Sequence, residues 1–467
     1  MKKLLVIACI LILSLSSYPQ DSLMYYLEIA GKNNPTVLQK FTEYKVALQR
    51  VPQVGSLPDP ELSTGVFLSP MELVSGMQLA DIRLMQMFPW FGVLKNAKDE
   101  MSLMARAKYE SFREAKLELF FDVHQVWNEL QKVQQTIRIN EENLELLRSL
   151  ERLSLVKFRA APAGSGGSKG GAISGGNGQP APAASSGMKT MGTNAAPAPN
   201  QSSSAMQASP MGLSGGAGLT DVYRIQMEIG ELENNINLLK NRQQTIGAKL
   251  NGYLNWAPSR IVTLPENLVA DTLAYSLPSV ADSMLSRSPM LGMLKYEKQS
   301  LEARRQMVTR MSYPMVGLGL NYSLIKKNEM STSQMNGSDM IMPMVTVTLP
   351  IYRKKYSAMR EEANLMKTAT EQGYQATTNS LQTEYYEAIQ LYHDARRRIK
   401  LYENQVQLAD KSLNIQMVSF SVSGSDMADL LRTRQQKLEY GLKHIEAISD
   451  NNTAVAWLKK LSCTDIH

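Results

Sequence analysis

The chain has 467 residues, 20% of them charged, with a formal net charge of +7 and two cysteines. Mean hydropathy is −0.24, and no internal apolar run reaches membrane-spanning length, which excludes a polytopic helical membrane protein. Lysines and carboxylates are interleaved, and no basic stripe carries interleaved aromatics, so nucleic acid is not an expected partner.

In chain order, Lys2 and Lys3 precede the apolar run Leu4–Leu13 and the small-residue stretch Ser14-Leu15-Ser16. This predicts a secretory signal over residues 1–20, cleaved near 16–20. Val6-Ile7-Ala8-Cys9 looks superficially like a lipoprotein box, but the apolar run before Cys9 is short and continues past it. Cys463 is then the one cysteine of the mature chain, so no intrachain disulfide is expected. Residues 21–57 read as helical. Asn34-Pro35 opens a helix, Asn as cap and Pro in the first turn, and Val37, Phe41, Tyr44, Leu48 and Val51 have helical spacing.

Residues 58–90 read as two β-strands joined by a loop. Leu62, Thr64, Val66 and Leu68 share one face of the first strand; Ile82, Leu84 and Phe88 share a face with Gln86 in the second. Each strand is about ten residues, the length a tilted strand needs to cross a bilayer. From 91 to 159 the composition favours one helix of roughly 100 Å. Residues 160–219 are Gly, Ser, Ala, Pro and Asn with scattered Met, a composition that cannot bury a core. Thr220 is expected to cap the next helix, which runs to about Leu254 and is followed by a connecting segment to 287.

At Ser288-Pro289 the pattern starts again. Pro289 falls on Pro35 and Pro314 on Pro60 with a constant offset of 254. A helix over 288–311 leads to a second hairpin over 312–351. One strand has Val316, Leu318, Leu320, Tyr322 and Leu324 on one face and Gly317, Gly319, Asn321 and Ser323 on the other. The next carries Ile341, Val345, Val347 and Leu349. A second long helix spans 352–424, and a last helix lies within 425–467. Asp429-Leu430-Leu431-Arg432 answers Asp221-Val222-Tyr223-Arg224. The chain is therefore a duplication, with about 54 extra residues at the first helix–helix turn. The fold class expected is mainly α with a small antiparallel β part.

Two hairpins supply four strands, which cannot close a barrel and leave exposed edges. A sheet in a bilayer must close, so several copies are needed, and three copies give twelve strands. Here the sequence resembles the TolC-like family of outer-membrane efflux ducts. The resemblance rests on Asn34-Pro35, Pro58-Asp59-Pro60, Gln86-Met87-Phe88-Pro89-Trp90-Phe91-Gly92 and the tips Thr220-Asp221-Val222 and Asp429-Leu430, in duplicated order. It covers nearly all of the mature chain outside 160–218. It implies a homotrimer, a twelve-stranded barrel in outer-membrane lipid, and a helical tunnel through the periplasm. It also implies a periplasmic adaptor and an inner-membrane pump as partners. The Pro-Asp-Pro and Met87-to-Gly92 signatures look most like the heavy-metal branch, the CusC-like ducts for copper and silver. The alternatives are a drug or small-molecule duct and, from another class, a periplasmic coiled-coil scaffold without a pore.

The resemblance also implies that tip residues hold the tunnel entrance closed. Thr220, Asp221 and Asp429 match it. Phe420 stands where the family's tyrosine would supply a hydroxyl, and Ser425 where an arginine would pair with the acid. The plainer reading of Asp221 and Asp429 is that carboxylates favour helix N-terminal turns. Arg224 and Arg432 read as helix-surface partners. Met188, Met191, Met206 and Met211 lie in the low-complexity insert, and thioethers suit Cu(I) or Ag(I). A linker with flexible side chains is the favoured reading of them. His124, His393, His444 and His467 lack metal-ligand spacing. No nucleophile–base pair, phosphate loop or nucleotide fingerprint is present, so neither an enzyme nor a cofactor is expected.

Overall fold

A computed structural model describes residues 23–73, 76–160, 217–274, 276–330, 332, 334–423 and 427–463. The expected signal segment and nearly all of the low-complexity insert lie outside them. The elements are α1 (Leu23–Asn33), α2 (Pro35–Gly55), β1 (Glu61–Leu73), β2 (Gly76–Phe88), α3 (Val93–Ala160), α4 (Ala217–Tyr253), α5 (Leu277–Arg287), α6 (Pro289–Met311), β3 (Met315–Lys326), β4 (Met340–Thr348), α7 (Arg353–Ser423) and α8 (Met427–Ser462). The chain divides into two compact units. One holds residues 1–141 and 236–467, the other 142–235.

The duplication begins one helix earlier than the Pro35/Pro289 match. α1 and α5 are both 11-residue helices, and their starts, Leu23 and Leu277, carry the same offset of 254. Asn34 and Ser288 then cap the next helix in each copy. The Asn34 Oδ1 accepts from Thr36 N at 2.9 Å and Val37 N at 3.3 Å; the Ser288 Oγ accepts from Leu291 N at 3.4 Å. Past the hairpins the offset becomes 260, as Val93 and Arg353 start the long helices. The longer β3–β4 loop, 327–339, absorbs the difference.

In the larger unit the aromatic contacts Phe41–Phe112 at 5.2 Å and Tyr44–Tyr109 at 5.3 Å hold α2 on α3. In the second copy, α6 lies along α7 through ion pairs: Lys367–Glu302 at 3.0 Å, Arg304–Glu362 at 3.3 Å, and Lys298–Glu371. α7 has 71 residues, roughly 105 Å of helix. The deepest packing lies where the C-terminal half of α8 meets α5 and the middle of α7. There Val280 and Met284 join Ala388, Tyr392, Ala454, Val455, Leu458 and Leu461. The irregular segment 256–276 is tied down by buried amides: Asn451 Nδ2 donates to Asp271 O at 2.9 Å and Asn452 Nδ2 to Val269 O at 2.9 Å.

In the smaller unit, Leu144, Leu147 and Leu150 of α3 and Val222, Ile225 and Leu232 of α4 are buried. Arg148 bridges to Glu233 at 3.0 Å, and Gln226 donates to Glu151 at 2.8 Å. Thr220 does not cap α4, because the helix starts at Ala217 and Thr220 lies inside its first turn. Ala217 and Leu219 are good helix formers and carry the helix back past it.

Candidate functional site

The four strands form one antiparallel sheet in the order β1-β2-β3-β4. Strands of 13, 13, 12 and 9 residues match or exceed the span of a tilted transmembrane strand. The register separates the two faces. Leu62 pairs with Leu84, and Leu84 with Leu320; Thr64 pairs with Ile82, and Ile82 with Tyr322. Leu318 pairs with Val345 and Val316 with Val347. Side chains alternate along a strand, so this face is aliphatic almost throughout. It is also open: Val345 is 70% exposed and Leu68 99%. The other face carries Ser63, Gly65, Asp81, Arg83, Gly317, Gly319, Asn321 and Ser323, with Asn321 only 7% exposed. Gln78 Nε2 donates to Ser323 Oγ at 3.2 Å.

β1 and β4 are the edges. Among the described residues their outer backbone groups have no strand partner. Pro70 and Pro343 both sit on these edge strands, where a missing N–H costs a sheet least. At the helical end of the sheet, Trp90 stacks on Tyr313 with ring centroids 5.3 Å apart and planes 14° off parallel. Phe91, Ile351 and Tyr352 are exposed beside them. An open aliphatic band ending in aromatics is the surface a bilayer and its interface select. No helix among the described residues is long and apolar enough to cross a membrane.

The far ends of the long helices carry the residues singled out in the sequence. In the larger unit, Phe420 is buried near the end of α7, as are Met427, Leu430 and Leu431 of α8. Asp429 is exposed in the first turn of α8. Ser425 lies outside the described residues. In the smaller unit, Thr220 is exposed and Asp221 half-buried in the first turns of α4. Arg224 and Arg432 are exposed. Sequence reasoning missed Arg434, a guanidinium only 5% exposed. Its signal was the spacing of Met427, Leu430, Leu431 and Arg434, one buried helical face. Met188, Met191, Met206 and Met211 lie outside the described residues.

Along α3, Glu110, Glu114, Glu118 and Asp122 recur every fourth residue. Burial pushes the carboxyls of Glu110, Glu114 and Asp122 upward, against Arg113 beside Glu110 and Lys460 beside the other two. Lys460 pairs with Glu118 at 2.5 Å. His124 on the same helix is buried and its imidazole is pushed down to about 4 by desolvation, with Lys459 adding to the effect. Among the described residues no three His, Cys, Asp or Glu side chains are grouped to hold a metal ion. Cys463 is a buried free thiol raised to about 11, chiefly by burial.

No protein-family model matches the chain, and no curated protein matches its sequence. Its fold is that of solved outer-membrane channel proteins. The outer-membrane channel OprN is 13% identical, with 95% of this chain and 90% of that chain covered and a TM-score of 0.71. The outer membrane protein VceC of Vibrio cholerae is 12% identical, with coverage of 94% and 96% and a TM-score of 0.68. CusC, solved in a study of folding and transmembrane channel formation, is 12% identical, with coverage of 94% and 91% and a TM-score of 0.68.

Proposed function

We propose that this chain is the outer-membrane channel subunit of a tripartite efflux system, a passive duct through periplasm and outer membrane. The observation that carries this reading is the sheet: four strands of spanning length, one face aliphatic almost throughout, and two edges without a strand partner among the described residues. Buried in lipid, those edges must find partners. Because the strands alternate in direction, β4 of one copy meets β1 of the next antiparallel, so identical copies can close a ring. Three copies make twelve strands, an even number in the range of such barrels. The long helices of each copy then form the periplasmic tunnel, and an adaptor and an inner-membrane pump supply contact and energy. The fold shared with outer-membrane channels supports the same reading.

The entrance lies at the far helix ends. A gating role for Thr220 and Asp221, and for Phe420, Ser425 and Asp429, is what the resemblance implies, with Phe420 a packing element since its ring has no hydroxyl to offer. The cargo is Cu(I), Ag(I) or another heavy-metal cation, a reading that rests on the signatures around Pro58 and Trp90. Met188, Met191, Met206 and Met211 of the segment 160–219 supply thioethers that suit such ions, beside the favoured reading of that segment as a linker. The test of the duct is fractionation with outer membranes, a heat-sensitive trimer on gels, and conductance in planar bilayers. Recovery as a monomer in the soluble periplasm would sink it. Deleting residues 165–215 tests metal gathering: copper tolerance should fall, and unchanged tolerance at normal expression rejects that role.

A further inference from the structure

The methionines of the sheet are not distributed as apolar filler. In β2, Met85 pairs with Gly319 and Met87 with Gly317. In β4, Met344 pairs with Gly319, Met342 with Asn321 and Met340 with Ser323. Paired residues project to the same side of a sheet, so all five stand on the face of Asn321, Ser323, Asp81 and Arg83. On the aliphatic side the register carries one methionine, Met77 opposite Lys326 beyond the irregularity in β2. Against lipid tails Met and Leu are nearly equivalent, so a demand for hydrocarbon alone would not sort them. What distinguishes Met is a polarizable sulfur.

The strand between β2 and β4 makes room for these side chains. Gly317 and Gly319 carry no Cβ, and one built on Gly317 would lie 2.6 Å from the Met87 sulfur. One built on Gly319 would lie 3.6 Å from Met85 Cβ and Cε. The β2 thioethers therefore lie across the backbone of β3 rather than standing off it. Met344 is the β4 partner of Gly319. Two strand spacings separate β2 from β4, roughly 10 Å, which is within the combined reach of two methionine side chains.

We propose that this face binds a soft monovalent cation, Cu(I) or Ag(I), between the thioethers of Met85 and Met344 over Gly319, with Met342 as third ligand. Met87 and Met340 continue the row along the sheet. Thioethers are neutral and soft, so they select such ions over Zn²⁺, Mg²⁺ or alkali cations. Neutral ligands also hold a cation loosely enough to release it, which conduction requires. The site rests on the duct reading in that its face lines the pore, and it gives the cargo class of that reading a location.

The experiment uses the full chain as a folded channel in detergent, carrying Cys463→Ser to remove the buried thiol, in chloride-free buffer. Methionine methyls are labelled with ¹³C and silver nitrate is the probe. Resonances of Met85, Met342 and Met344, assigned by single Met→Leu changes, should shift saturably with silver and stay fixed with zinc. The triple variant Met85→Leu/Met342→Leu/Met344→Leu should bind silver on the order of tenfold more weakly at this site. Sheet methyls that stay fixed under silver overturn the proposal, as does a triple variant that binds silver unchanged. The wild-type titration decides even where the variant folds poorly. Conductance without methyl shifts sinks the site and leaves the duct; methyl shifts without conductance sink the duct and leave a thioether site.

Discussion

Asn34 does more than its counterpart in the second copy. Its Oδ1 caps α2 and its Nδ2 donates to the Tyr253 carbonyl at 3.0 Å, so one buried side chain closes α2 and anchors the end of α4. Asn34→Ala removes a cap and leaves a buried carbonyl without its donor, a cost of about 2 kcal/mol. Ser288→Ala removes one long capping bond and should cost less. Thermal denaturation of the two variants in detergent measures the order, and an equal loss would deny Asn34 its second role. His124 gives a pH dependence of definite sign. Its pKa falls to about 4 from the ordinary 6.5 because burial disfavours the charged ring. Below pH 6.5 the unfolded chain takes up a proton that the folded chain refuses, so this contribution is full above 6.5 and is lost as pH falls toward 4. The whole is about 3 kcal/mol per chain. Glu114 and Asp122, with raised carboxyls, act in the opposite direction. The difference between wild type and His124→Gln therefore isolates the imidazole: melting from pH 7 to 4.5 should fall less steeply in the variant. Parallel curves would reject the assignment.

Segment 256–276 has no regular structure, yet it is held in place by side-chain amides rather than by a ladder. Asn452 accepts from Asp271 N at 2.7 Å and donates to Val269 O at 2.9 Å. Asn452→Leu fills the volume but strands both backbone groups, worth about 2 kcal/mol. The segment should open more often, and limited proteolysis within 256–276 should speed up on the order of tenfold. Cleavage at the wild-type rate would place its order elsewhere. At the same scale, the two copies differ in the hairpin loops, which shift the repeat offset without disturbing the long helices that follow. Loops absorb insertions because they carry few packing partners.

In the proposed duct the assembly depends on which face of the sheet meets lipid. Val345 and Thr346 are neighbours on β4 with opposite directions: Val345 pairs with Leu318 on the aliphatic face, Thr346 with Gly317 on the other. If the proposed duct holds, Val345→Arg places a charge in the bilayer, costing about 2–4 kcal/mol near the midplane, and should reduce the proposed trimer. Thr346→Arg puts the same charge on the proposed pore side, where it should leave assembly intact and alter ion selectivity. Equal effects of the two substitutions on trimer yield would contradict the assignment of faces.

Much of this architecture was written in local pattern. Alternation at Leu62, Thr64 and Val66 declares a two-faced strand, the 254-residue offset declares the duplication, and Asn34-Pro35 declares a helix start. Each of these depends on neighbours a few residues away or on plain repetition, so a single sequence suffices to read them. The start of α4 at Ala217, ahead of Thr220, depended on how far helical hydrogen bonding propagates, which no single capping residue controls. The anchoring of 256–276 by Asn451 and Asn452 joins positions some 180 residues apart, which spacing cannot reveal. The methionines show the division most plainly. In the sequence Met85, Met87, Met340, Met342 and Met344 are apolar residues in strands. Only strand pairing, by setting Gly317 and Gly319 between them, puts five sulfurs on one face.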